Sequence, residues 1–180
     1  MTTDFRAARC QCGKAILDVA GPPIMTVACY CRSCQDAAKR LGSLPGAPPV
    51  ADADGGTHFV MERKDRVTCS HGSELLREHR LTPKSSTRRV IAVCCNTAMF
   101  LEFESGHWLS IYKDRFQEKD QPSLEMRTMT GERRPWVVFA DDIPSPKKHS
   151  PRFVWKLMRA WMAMGFKTPK ISFVKGAIDA

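Results

Sequence analysis

Seven of the eight cysteines fall in three tight clusters. Cys10 and Cys12 stand in "CQCG", Cys29, Cys31 and Cys34 in "CYCRSCQ", and Cys94 and Cys95 are adjacent in "CCNT". The eighth, Cys69 in "VTCS", stands alone, as a structural core cysteine does. Clustering at gaps of one and two residues is what metal ligation asks of a chain. A tight turn brings two thiolates of Cys-x-x-Cys onto one ion, each sulfur ~2.3 Å from a tetrahedral zinc. Other chemistries compete for these thiols. "CRSC" before a helix resembles a redox dithiol, but the strand–helix–strand context is missing and Cys29 adds a third thiol. Iron–sulfur clusters use other spacings. Zinc fits best, with two ions expected. Cys29, Cys31 and Cys34 give three ligands, the number that leaves a catalytic zinc one open position. Cys10 and Cys12 need partners, and the Cys94–Cys95 pair completes a structural site. Cys34, at the expected start of a helix, is expected to be held as a thiolate by the helix dipole.

Short strands must carry these clusters. "KAILDV", "IMTVA", "HFVM", "RRVIAV", "AMFLEF", "HWLSIY" and "WVVF" are rich in β-branched and aromatic residues, most of them bounded by turn formers. Trp108 and Trp136 are expected in the core. A short helix is expected over 34–41, ending at Gly42, and a longer one over 151–166. In the longer helix Phe153, Val154, Leu157, Met158, Trp161, Met162 and Met164 form a wide apolar arc opposite Arg152, Lys156 and Arg159. That pattern predicts docking on the body, with Trp155 or Trp161 buried. The loop 41–56, with three prolines and four glycines, excludes long regular structure, and the proline-rich 141–151 reads as a linker. The expected organisation is a zinc-binding β domain over 1–142 and a basic tail over 143–180.

The net charge of +9 is uneven. Residues 143–180 hold eight Lys/Arg and one acid, whereas 1–142 hold twenty basic and eighteen acidic residues. Such a tail can attract nucleic acid or an anionic membrane surface, though a solvated basic face is the plainer reading. No apolar run is long enough for a membrane span. The N-terminus lacks the apolar block of a signal peptide, so the expected compartment is the cytoplasm, where thiols stay reduced.

"CQCG", "CYCRSCQ" and "CCNTAMF" together resemble the glutathione-dependent formaldehyde-activating enzyme and centromere protein V (GFA-like) family, closest to an uncharacterised bacterial branch. The resemblance spans roughly residues 8–112. It implies one mainly β, β-tent-type domain of short antiparallel strands around two zinc ions. Cys10, Cys12 and Cys95 match its structural zinc ligands, and Cys29, Cys31 and Cys34 match its second zinc. It further implies carbon–sulfur bond making or breaking on a small thiol such as glutathione, a carbon–sulfur lyase activity with those three cysteines at the catalytic centre. The family's late motif is Cys-x-x-Cys-Gly, but here Ala92 stands three residues before Cys95 and Asn96 replaces the glycine. Adjacent cysteines on a strand face opposite ways. Cys94 and Cys95 can share one ion only in a turn; otherwise one of them would close the second site.

The rival from another class is a non-catalytic zinc module whose tail binds a partner. An open three-thiolate site beside a pocket favours the enzyme; a closed one with a contiguous basic face favours the module. His58, His71, His79 and His107 are further candidates for a fourth ligand or general base. Arg88 and Arg89 are candidates to bind a substrate carboxylate.

Overall fold

The computed structural model describes residues 5–178. Among these residues ten strands form two sheets. In chain order they are β1 (Phe5–Arg9), β2 (Ile16–Ala20), β3 (Met25–Cys29), β4 (Thr57–Arg63), β5 (Val67–His71), β6 (Leu76–His79), β7 (Thr87–Ala92), β8 (Thr97–Phe103), β9 (Trp108–Tyr112) and β10 (Met126–Thr128). The small sheet has the order β1-β2-β5 and is antiparallel. The large sheet runs β10-β3-β4-β9-β8-β7-β6, antiparallel except where β10 lies parallel to β3. Two α-helices complete the fold, α1 (Arg32–Gly42) and α2 (Pro151–Ala163). The protein is mainly β, as its strand-rich sequence predicts.

Side-chain alternation explains the layering. In β4, Val60 faces the small sheet and packs with Leu17, Val90, Phe100, Leu109 and Ile111. Its neighbours Phe59 and Met61 face the other way and pack with Val27, Leu41 and Phe153. The large sheet is therefore covered on both faces, by the small sheet on one and by the helices on the other. In α1, Cys34, Ala37 and Leu41 form the buried stripe. In α2, Ser150 caps the N-terminus by accepting from the Phe153 N–H, Pro151 opens the helix, and Phe153 is buried.

Several expectations need correction. "WVVF" is not a strand, and Trp136 and Val138 are 72% and 89% exposed. The longer helix ends at Ala163, where Gly165 and Phe166 take positive φ. Trp161 is half-buried and stacks on His107, but Trp155 is 57% exposed. Cys69 is only half-buried, on β5. The linker is not loose: Pro144 and Pro146 carbonyls accept from Arg127 and Thr130 backbone N–H groups. Beyond α2, Ile171, Phe173 and Val174 pack on the inter-sheet core, and Gly176 and Ile178 bond to Glu78 along β6. No helix among the described residues is long and apolar enough to cross a membrane.

Strand β1 went unrecognised because its pattern is inverted. Phe5 points out and Arg6 points in. The Arg6 guanidinium reaches Glu62 Oε1 at 2.8 Å inside the sandwich. A second buried pair joins Lys64 to Glu102 at 2.7 Å, and Glu102 also accepts from Arg88. Removing one member of such a pair strands the other charge in a low dielectric. Glu102→Ala is expected to cost roughly 3–5 kcal/mol in urea unfolding, because Lys64 loses its carboxylate.

Burial pushes the Glu62 carboxyl up to about 7, against the opposing pull of Arg6. The folded chain then holds a proton that the unfolded chain, with a carboxyl near ~4.3, has already released. This group's contribution to stability is complete at low pH and is lost as pH rises through about 7. Unfolding curves of the wild type and Glu62→Gln between these limits should diverge. The wild type should lose stability with rising pH relative to the variant.

Candidate metal centres

The first cluster sits where the two sheets meet. Cys10 follows β1 in a tight turn, in which its carbonyl accepts from the Gly13 N–H and its Sγ from the Ala15 N–H at 3.2 Å. Gly13 takes φ +76°, a conformation glycine adopts without steric cost. Cys94 and Cys95 lie in the β7–β8 turn, which Asn96 completes with φ +51°. Because they are in a turn rather than on a strand, both sulfurs face the same site. The separations are 3.6 Å for Cys10–Cys12, 3.8 Å for Cys10–Cys94, 3.4 Å for Cys12–Cys94 and 3.8 Å for Cys94–Cys95. Tetrahedral ligands ~2.3 Å from one ion stand ~3.8 Å apart, so these four could hold a metal ion.

Local hydrogen bonds distribute charge among these sulfurs. Burial opposes a Cys95 thiolate, but the Thr97 hydroxyl, 3.0 Å away, and the Cys12 backbone outweigh it and bring Cys95 down to about 6. The Gln11 N–H donates to that same hydroxyl oxygen, which aims its proton at sulfur. Burial raises Cys10 and Cys94. Thr97 was not anticipated from sequence; its place two residues after Cys95 was the available signal.

The second cluster is built at the β3–α1 junction. Cys29 ends β3, Cys31 is the N-cap of α1, and Cys34 lies in its first turn. Cys29 and Cys31 sulfurs are 3.4 Å apart, and the three ligand atoms lie within 4.8 Å of one another. Tyr30, between them, is locked by its hydroxyl donating to Asp54 Oδ2 at 2.6 Å and its N–H to the Thr128 carbonyl. Its ring lies against Gly56, where any Cβ would meet ring atoms at 2.7 Å.

The dipole expectation falls on a different cysteine. Cys29 and Cys34 thiols stabilise the Cys31 thiolate, with further help from the Cys34 backbone N–H and from Arg89, and its pKa is driven down to about 2. Cys34 is instead raised, because it shares its proton with Cys29 and Cys31. Cys29 is pushed up to about 12 by Cys31. The N-cap sulfur, not the first-turn sulfur, accepts a helix N–H, that of Cys34.

A cleft of about 440 Å³ opens beside this second cluster. Cys29, Cys31 and Cys34 line it together with Phe59, Met61, Leu101 and Trp108 of the sheet and Phe153, Val154 and Leu157 of α2. None of the first cluster's cysteines lines it.

The family is now decidable. A family model described as "Family of unknown function (DUF6151)" matches residues 4–114. The chain belongs to DUF6151. The stretch of this DUF6151 chain that carries the match includes all seven clustered cysteines. No curated protein matches it. Among solved structures it is similar to a Rhodobacter sphaeroides protein from structural genomics, at 13% identity and a TM-score of 0.45, over 66% of this chain and 96% of that one.

The other sequence candidates supply no ligand to either thiol cluster of the DUF6151 chain. His58 pairs with Asp52, His107 Nε2 bonds the Leu157 carbonyl, and His79 lies beside the Ile178 carbonyl. His71 ends β5, in neither thiol cluster. Arg88 pairs with Glu78 and Glu102, and Arg89 donates to the Ser33 carbonyl and hydroxyl. The histidine that does line the cleft is His149, passed over within the proline-rich linker. Its Nδ1 shares a 3.0 Å hydrogen bond with the Thr128 hydroxyl, and its ring stacks on Phe153.

Elemental analysis of protein purified without chelator is expected to give two ions per chain. Cys94→Ser should lower the count to one and destabilise the fold, because metal binding there contributes directly to folding.

Proposed function

We propose that the chain is a two-zinc protein of GFA-like fold that makes or breaks a carbon–sulfur bond on a small thiol. The observation that carries this reading is the three-thiol cluster opening onto a 440 Å³ cleft, while the four-thiol cluster has its full donor set elsewhere. Sulfur-only donors suit zinc or iron–sulfur clusters. Separations of 3.4–3.8 Å suit one shared ion, since a cluster would hold its cysteines further apart. Three thiolates on a dication leave one negative charge, and the Arg89 guanidinium beside Cys31 offsets it.

In this reading Cys10, Cys12, Cys94 and Cys95 hold the structural ion, and Cys29, Cys31 and Cys34 hold the second. A zinc bound there supplies a cation that favours the thiolate of an incoming thiol at neutral pH. The apolar walls exclude water and hold the thiol against an aldehyde, so that positioning supplies much of the rate. His149 accepts the thiol proton and passes it to solvent or to the aldehyde oxygen. The sulfur lone pair forms the new S–C bond, the C=O π pair moves to oxygen, and oxygen takes up a proton. The reverse sequence breaks the adduct.

Titration calorimetry with 2-mercaptoethanol in two buffers of different ionisation enthalpy tests the reading. About one proton should be released per thiol bound. Cys31→Ser and Cys34→Ser should abolish binding while the four-thiol site keeps its ion. Failure of the thiol to bind at millimolar concentration, with both ions present, would refute the enzyme.

A further inference from the structure

We infer that the thiol this cleft receives has an uncharged, apolar body, and is not glutathione. The inference rests on the proposed thiol-binding role of Cys29, Cys31 and Cys34 and narrows its substrate class.

The argument lies in the cleft walls. Among the described residues that line it, none is Asp, Glu, Lys or Arg. Large apolar side chains face one another across it: Phe59, Met61 and Trp108 from the sheet, Phe153 and Leu157 from α2. The remaining polar liners are hydroxyls and His149. Glutathione carries two carboxylates and an ammonium. Taken into such a cleft, those charges would lose water and find no ionic partner. Of the two arginines on β7 that might have served a carboxylate, Arg88 is committed to Glu78 and Glu102, and Arg89 is buried, bonds Ser33 through one nitrogen and does not line the cleft. An alkyl or arylalkyl thiol meets neither obstacle. Its sulfur reaches the three-cysteine end and its hydrocarbon body covers the apolar walls, where burial of each methylene is favourable. At about 440 Å³ the cleft suits a ligand of modest size. Sulfur affinity at one end and apolar complementarity along the walls thus select one chemical class.

The test uses the full chain loaded with cobalt(II), whose visible bands report a new sulfur ligand directly. Parallel titrations compare 2-phenylethanethiol with glutathione. Phenylethanethiol is expected to shift the bands with an apparent Kd lower by about tenfold or more. Val154→Lys is the companion variant, because Val154 lines the cleft yet is 52% exposed and tolerates a charged side chain. It should weaken phenylethanethiol and strengthen glutathione, narrowing or reversing the preference. Equal affinities in the wild type, or tighter glutathione, overturn the apolar assignment while leaving thiol binding intact. Bands that respond to neither thiol overturn the thiol-binding reading itself, and this inference with it.

Discussion

Sulfurs drawn to 3.4–3.8 Å of one another repel as soon as more than one ionises, and only a shared cation or retained protons relieve that repulsion. The fold is arranged around this constraint at two points. At the first, the β1–β2 turn of the small sheet meets the β7–β8 turn of the large one. A cation held there would tie the sheets together at the edge of the apolar sandwich. At the second, β3 hands its last residue to the N-cap of α1, so one junction sets three sulfurs. Gly13 and Asn96 both take positive φ beside the first cluster. Each bends a turn so that neighbouring thiols converge rather than alternate.

The clusters were legible because chemistry by cysteine is local. Spacing alone groups Cys29, Cys31 and Cys34, whereas the choice between one site and two for Cys94 and Cys95 rests on their lying in a turn, which Asn96 completes with positive φ. What was not legible was anything set by long-range packing. β1 hid because Arg6 points inward toward Glu62, a partner 56 residues away, while Phe5 faces solvent. "WVVF" read as a strand, but Trp136 and Val138 have no sheet edge to join and remain exposed. His149 was invisible for the same reason. Its role depends on Thr128, which reaches Cys29 only through the parallel pairing of β10 with β3.

Charge in this molecule is spent inside the scaffold more than at the cleft. Arg6, Lys64 and Arg88 each meet a carboxylate within the sheets, and Arg89 meets the first turn of α1. Even Lys156 of α2 is paired, with Glu125. The tail also has structural work: α2 walls the cleft, and the segment after it bridges to Glu78 on β6, the edge strand of the large sheet.

The placement of α2 has a consequence in time. All seven clustered cysteines lie before residue 96, whereas the α2 wall of the cleft, which Cys29, Cys31 and Cys34 help to line, comes about 60 residues later. Synthesis at ~5–20 residues per second separates the two by roughly 3–12 s. A nascent chain thus presents its complete set of sulfurs to the cellular metal pool before the wall that narrows access has been made. If the clusters take up metal, loading can precede closure. The late helix would then narrow access only after a metal had been offered to the sulfurs.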